Sequence, residues 1–292
     1  MRLYICVDDT DDLTKSTSTG KISDLIADRI AEMGGIPDRG VTRHQLLLHD
    51  DIAYTSHNSS MCMVMDIDGI DMKDIMKAAE EILFENMAES SDPGMCFCRL
   101  DQLREPDRLI AYGKRAQKEV LTKAEAYELA EQIGGTVLCE YGGDGSGVIG
   151  ALAGAGLRLS GCDGTFRGGK DGSYAGMEQP VSYWKTVMGI EQVVDLAGNT
   201  LDDCVPVKVK EKLKLAMLDN MKTMVASEQD GVFTACTKRE LYHGDRRVNE
   251  WSTPCREFQP DNDAEECYAE DEKACYNCLF RRWTAQGFMC VR

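Results

Sequence analysis

The chain has 292 residues and is 43% hydrophobic, enough for one large or two modest domains with a core. Its formal net charge of −17 repels a phosphate backbone, which weighs against a general nucleic-acid binder and favours cationic partners such as amines. The N-terminus turns acidic too early for a signal peptide, and no apolar run approaches a membrane span; the 13 cysteines then imply a reducing cytoplasm in which thiols stay free or bind metal.

The first element is "RLYICV" (residues 2–7), an apolar run of strand length. A loop follows that packs in Asp8, Asp9, Asp11 and Asp12 and then Ser16, Thr17, Ser18 and Thr19. From Gly20, the spacing of Ile22, Leu25, Ile26, Ile30 and Met33 predicts a helix stopped at Gly34. Strand, loaded loop and helix is the layout that puts chemistry at the carboxyl end of a strand. "HQLLLHDDIAYTSHNSSMCMVMDIDG" reads as strand, loop, strand, and "DMKDIMKAAEEILFENMAE" as an amphipathic helix. "DPGMCFCRL" reads as a turn and a strand, with Cys96 and Cys98 on one face as core residues. Thr122 and Glu125 form a capping box that opens the next helix, and "TVLCEY" is a strand. After the glycine-rich "GGDGSGVIGALAGAG" comes a helix. Further on, "VKVKEKLKLAMLDNMKTMVA" also reads as a helix, and the last forty or so residues are polar and cysteine-rich.

Like charges as close as those of the acidic loop call for a cation among them, or else splay into water as a solvated turn. No calcium-loop register supplies both the glycine and the glutamate required, and "TSTGK" lacks the features of a Walker A loop. What remains is a carboxylate set, Asp8, Asp9 and Asp11, holding Mg²⁺ against nucleotide phosphates, with a hydroxyl nearby able to accept a phosphoryl group. In the second segment, the glycines at 142, 143, 145 and 147 precede a helix and could let backbone N–H groups approach an anion. The alternative is a tight turn with close helix packing through Gly150, Ala151 and Gly154. His57 and Asn58, on the loop between two strands, are candidate ligand contacts. In the tail, Cys255, Cys267, the CxxC pair Cys275 and Cys278, and Cys290 offer four ligands for Zn²⁺ or an iron–sulfur cluster; the alternative is buried free thiols.

"VDDTD" with the hydroxyl run resembles the tRNA(Ile) 2-agmatinylcytidine synthetase family, whose N-terminus reads I-D-D-T-D, six variable residues, then two threonines. "LLLHDDIAYTSHNSS", "SDPGMCF" and "GSGVIGALAGAG" resemble further family segments in the same order, over roughly residues 1–200. The resemblance implies an α/β (α+β) fold. Its kinase-like ATP-binding domain would be discontinuous, from residues 1–57 and 115–200, with a ferredoxin-like unit inserted at 58–114 and a helix and cysteine-rich tail at 201–292. It implies ATP and Mg²⁺ as cofactors, bound through Asp8, Asp9 and Asp11. It places Ser18 at the phosphorylated hydroxyl, with Thr17 and Thr19 beside it. Thr10, Gly143, Gly145, Ser146, Gly147, Gly150, His57 and Asn58 then contact the nucleotide. The family activates a wobble cytidine by phosphorylation, and agmatine displaces the phosphate. Here Lys15-Ser16-Thr17 stands for the family's Gly-x-Cys, and Ser56 for its arginine. Fewer than a hundred residues follow the matching region, too few for the family's full RNA-gripping equipment. The expectation is therefore an ATP-dependent enzyme that activates an oxygen for displacement by an amine, on a substrate other than tRNA. The alternatives are a catalytically inactive nucleotide-binding protein, and tRNA modification with a partner supplying the RNA grip.

Overall fold

The computed structural model describes residues 1–11, 17–47, 49, 51–52, 58–168 and 172–237, together with the strands 281–284 and 287–290. Two compact units, Met1–Ser160 and Gly161–Arg292, make up this mixed α/β chain.

The first unit contains β1 (Arg2–Asp8), α1 (Thr19–Glu32), β2 (Ile36–Pro37), β3 (Thr42–Gln45), β4 (Ser59–Asp66) and α2 (Met72–Asn86). It continues with β5 (Gly94–Arg99), α3 (Pro106–Ala116), α4 (Lys123–Ile133), β6 (Thr136–Glu140) and α5 (Gly147–Leu159). Its sheet runs β6-β5-β1-β4-β3, with β2 also on β4. The pairings are antiparallel, including Cys6 opposite both Cys62 and Cys96, and Asp8 opposite Gly94.

Helices cover both faces of this sheet, which is why its central strands read as unbroken apolar runs rather than alternating ones. Leu3, Ile5 and Val7 pack with Ile22, Ile26, Ile30, Ile75 and Leu83 on the α1–α2 side. Tyr4 and Cys6 pack with Cys62, Cys96, Cys98, Leu109, Leu129 and Ala151 on the α3–α5 side. The expectation that Cys96 and Cys98 are core residues agrees with their full burial, which pushes the Cys98 thiol up to about 12. Asp8 shares the parity of Tyr4 and Cys6, so the strand pleat aims it at the α5 side. Local chemistry sets the helix starts. Asp71 accepts from the Lys73 N–H at 2.8 Å, Pro106 opens α3, and Thr122 and Glu125 close the expected capping box on α4.

β4 and β5, from the segment 58–114, flank β1 in a single sheet, and the boundary between units falls at 160/161.

In the second unit are β7 (Thr165–Phe166), β8 (Glu178–Pro180), α6 (Val181–Met188), β9 (Gln192–Asp195), β10 (Pro206–Lys208), β11 (Ala216–Leu218), β12 (Met221–Gln229) and β13 (Val232–Ala235). The hairpin of β14 (Arg281–Thr284) and β15 (Gly287–Cys290) completes the described elements. Trp184 anchors the core of this unit, donating Nε1–H to the Val207 carbonyl at 2.9 Å. The structure corrects the helix expected over residues 207–226: the segment contributes to β10 and forms β11 and most of β12. Val207 and Val209 are buried while Lys208 and Lys210 are exposed, a period of two that belongs to a strand. Asp219 and Asn220 both take left-handed φ, 53° and 62°, as the two-residue turn between β11 and β12 requires. Among the described residues no helix is long and apolar enough to cross a membrane.

Candidate functional site

The acidic loop leaves the sheet at the carboxyl end of β1. Asp8 closes that strand and is only 8% exposed. Burial, then the neighbouring charges of Asp9 and Asp11, push its carboxyl well above the usual range. Asp9 follows in the left-handed region at φ 55°, a strained conformation for a non-glycine residue. Burial, then the charges of Asp92, Asp11 and Asp144, raise Asp9 to about 7. Two carboxyls that resist ionisation therefore stand side by side at the end of a central strand.

The rest of the loop is tied down. Thr10 is fully buried, and its hydroxyl donates to the Thr19 hydroxyl at 3.0 Å. The Thr10 carbonyl accepts from the Ala88 N–H at 2.9 Å, and the Thr19 N–H donates to Asp11 Oδ2 at 3.3 Å. These bonds hold the aspartates against the start of α1. Ser18 is the N-cap of that helix, its hydroxyl accepting from the Lys21 N–H at 3.3 Å. The three candidate hydroxyls thus separate. Thr19 is buried in the Thr10 bond, whereas Thr17 and Ser18 are half-buried and Ser18 sits on the positive end of a helix.

The glycine-rich segment is arranged differently. Gly143 and Gly145 take φ of 49° and 73° and turn the chain into α5. Its N–H groups are largely used inside the protein. Asp144 donates to Asp92 Oδ1 at 2.7 Å and Ser146 to Asp144 Oδ1 at 2.8 Å. Gly145 donates to the Gly142 carbonyl, Gly147 to that of Asp92, and Ile149 to that of Ser146. Gly147 and Gly94 let two backbones meet, and Gly154 packs over Ser60. The expected contacts of Gly145, Ser146 and Gly147 with an anion would compete with these internal bonds. What the segment does supply is charge, from Asp144, which acts on Asp9 together with Asp92 from the turn before β5. Sequence reasoning missed these two residues; the signal was an aspartate before "PG" and another between glycines.

Asn58 lies at the start of β4, where its side-chain amide donates to the Leu47 carbonyl at 2.5 Å. His57 falls outside the described residues, as do Cys255, Cys267, Cys275 and Cys278, while Cys290 ends β15 opposite Arg281. Cys6 and Cys62 are free thiols whose sulfurs meet at 2.7 Å in the core.

Hard carboxylate and hydroxyl oxygens at the end of β1 suit a hard cation. Among the described residues no three His, Cys, Asp or Glu side chains form a ready-made cage. That is compatible with Mg²⁺, which takes one or two carboxylates and completes its shell with phosphate oxygens and water. The raised carboxyls of Asp8 and Asp9 are what such an ion would return to the ionised state.

No family model matches the sequence, and no curated protein matches it. Among solved structures, the chain is similar to apo TiaS, an agmatidine synthetase for an isoleucine tRNA, at 22% identity and a TM-score of 0.46, over 53% of this chain and 35% of that one. It is also similar to TiaS in complex with that tRNA and ATP, at 23% identity and a TM-score of 0.47, over 53% and 36% of the two chains. For TiaS with the tRNA, AMPCPP and agmatine the values are 21%, 0.46, 53% and 36%. The matched part spans little more than a third of those proteins.

Proposed function

We propose that this chain is an ATP- and Mg²⁺-dependent phosphoryl-transfer enzyme that activates an oxygen for displacement by an amine. The observation that supports it is the burial and crowding of carboxyls in the β1 loop. Asp8 is buried and Asp9 half-buried, Asp11 neighbours both, Asp92 and Asp144 neighbour Asp9, and the N-cap hydroxyl of Ser18 stands at the next helix. A solvated turn would leave its carboxyls near their ordinary values; these are raised.

In this reading one or two carboxylates of the set Asp8, Asp9 and Asp11 would hold Mg²⁺, which would supply charge neutralisation for the phosphates of bound ATP. Thr10 and Thr19 fix the loop on α1 through their hydroxyl–hydroxyl bond. Ser18 is the acceptor: its Oγ gives its proton to solvent and forms a bond to the γ-phosphorus as the bond from that phosphorus to the β-phosphate oxygen breaks, and ADP leaves. A phosphate on Ser18 sits at the amino end of α1, where the helix dipole favours negative charge. The acidic surroundings draw a cationic amine towards the site; agmatine is the amine that the motif resemblance implies. The final oxygen acceptor is a small molecule or a nucleoside, and the net charge of −17 argues against bare electrostatic capture of RNA.

Mass spectrometry of the protein after incubation with Mg²⁺ and ATP tests this. A phosphate localised to Ser18, and lost in Asp9→Asn, is the expected result. An unmodified protein that also releases no ADP with any amine would overturn the reading.

A further inference from the structure

We infer that Gly150 is a positioning residue for Asp8: the side chain missing from this turn of α5 is the space that the Asp8 carboxyl fills. Its meaning for catalysis rests on the reading above. The geometry does not.

Gly150 is the fourth residue of α5. It is not among the glycines with positive φ, so the backbone there accepts any L-residue. Glycine is disfavoured relative to alanine inside a helix. Its presence therefore calls for a contact, and one exists: a methyl group at Gly150 would overlap Asp8 Oδ2, stand 2.6 Å from Asp8 Cγ and lie 3.0 Å from Leu46 Cδ1. Two other glycines of the helix meet different groups. A methyl at Gly147 would run into the Asp92 carbonyl and the Gly94 nitrogen, and one at Gly154 into Ser60 Oγ. Of these three, Gly150 alone faces a carboxyl.

Asp8 has little room to retreat. It is 8% exposed and lies opposite Gly94, whose own lack of a side chain lets the start of α5 down onto the sheet. Filling the slot would push the Asp8 carboxyl out of the place that it holds against α5. The glycine that reads in sequence as a close-packing residue thus makes room for an acidic side chain.

A double-mutant cycle tests this with wild type, Gly150→Ala, Asp8→Ala and the double variant. One readout is the thermal midpoint without nucleotide. The other is the magnesium concentration that half-saturates ADP release by wild type and Gly150→Ala. Gly150→Ala is expected to lower the midpoint in the wild-type background and leave it unchanged in Asp8→Ala, where the methyl group has space. It should also raise the half-saturating magnesium at least tenfold. Gly154→Ala should lower the midpoint without moving the magnesium requirement. An equal fall in midpoint in both backgrounds overturns the inference, as does an unchanged magnesium requirement in Gly150→Ala. If Gly150→Ala alone does not fold, recovery of folding in the double variant supports the slot, and no recovery overturns it. If wild type releases no ADP, the phosphoryl-transfer reading fails while the thermal cycle still decides the role of Gly150.

Discussion

Two loops in this unit end at helix amino termini, and in sequence they look alike: small, polar, acidic residues run into an apolar helix. They differ in what each leaves over. Before α5, the backbone donors of Asp144, Gly145, Ser146 and Gly147 find acceptors inside the protein, and the glycines serve close packing. Before α1, the hydroxyls of Thr10 and Thr19 are paired but the carboxyls of Asp8 and Asp9 are not charge-balanced. A site is marked by uncompensated chemistry, and here that lies in side chains rather than in a glycine-rich backbone.

The largest effect should come from removing that charge. Asp9→Asn is expected to lower ADP release by about 10²–10³-fold, the scale of losing one charge-stabilising group. Undiminished release in a coupled assay would put the two loops on an equal footing.

The pH dependence of stability sharpens the same contrast. Asp9 is raised from an ordinary 3.8 to about 7, so the folded chain holds that proton more tightly than the unfolded chain. Its contribution to stability is complete below the ordinary carboxylate value. It is lost as pH rises through about 7, by on the order of 4 kcal/mol at its limit. Asp8 acts with the same sign. Urea midpoints in a chelator should therefore fall between pH 5 and pH 7.5, and Asp9→Asn should flatten the slope. An unchanged slope would mean that the loop is solvated.

The α5 loop should fail differently, through packing. A methyl group at Gly94 would overlap the backbone of Gly147 and Val148. Gly94→Ala should cost roughly 1–3 kcal/mol by denaturant unfolding, the usual penalty of overpacking. A cost near zero would show that the two backbones are not in close contact.

How much of this is legible in the sequence follows from which interactions are local. β1, α1, α2, α4 and the capping box at Thr122 and Glu125 all follow from short-range spacing, as does the acidic loop at the carboxyl end of a strand. The lysine–valine alternation at 207–210 is equally visible there. It reads as helical because "KVKEKLKLAML" is rich in helix formers, and the sheet overrides that propensity. Other features depend on residues far apart in the chain. Nothing near Asp9 points to Asp92 or Asp144, since only the pairing of β1 with β5 and the seating of α5 bring them together. The glycine-rich segment likewise reads as a cradle until its N–H partners are known.

The smallest expected difference separates the two serines that open these helices. Ser18 has the extended backbone of an N-cap, φ −77° and ψ 156°, and its hydroxyl accepts from the Lys21 N–H. Ser146 already has helical angles, φ −64° and ψ −23°, and makes no side-chain cap bond. Its place is taken by Asp144 and by the Asp92 carbonyl, which accept from Ser146 and Gly147. Ser18→Ala should therefore cost about 1 kcal/mol of stability and remove the proposed phosphate acceptor. Ser146→Ala should stay within about 0.5 kcal/mol and leave ADP release intact. Denaturant unfolding of both variants decides it. If Ser146→Ala proves the costlier of the two, its hydroxyl carries a role that the hydrogen bonds of the α5 loop do not reveal, and the division of labour between the loops would have to be redrawn.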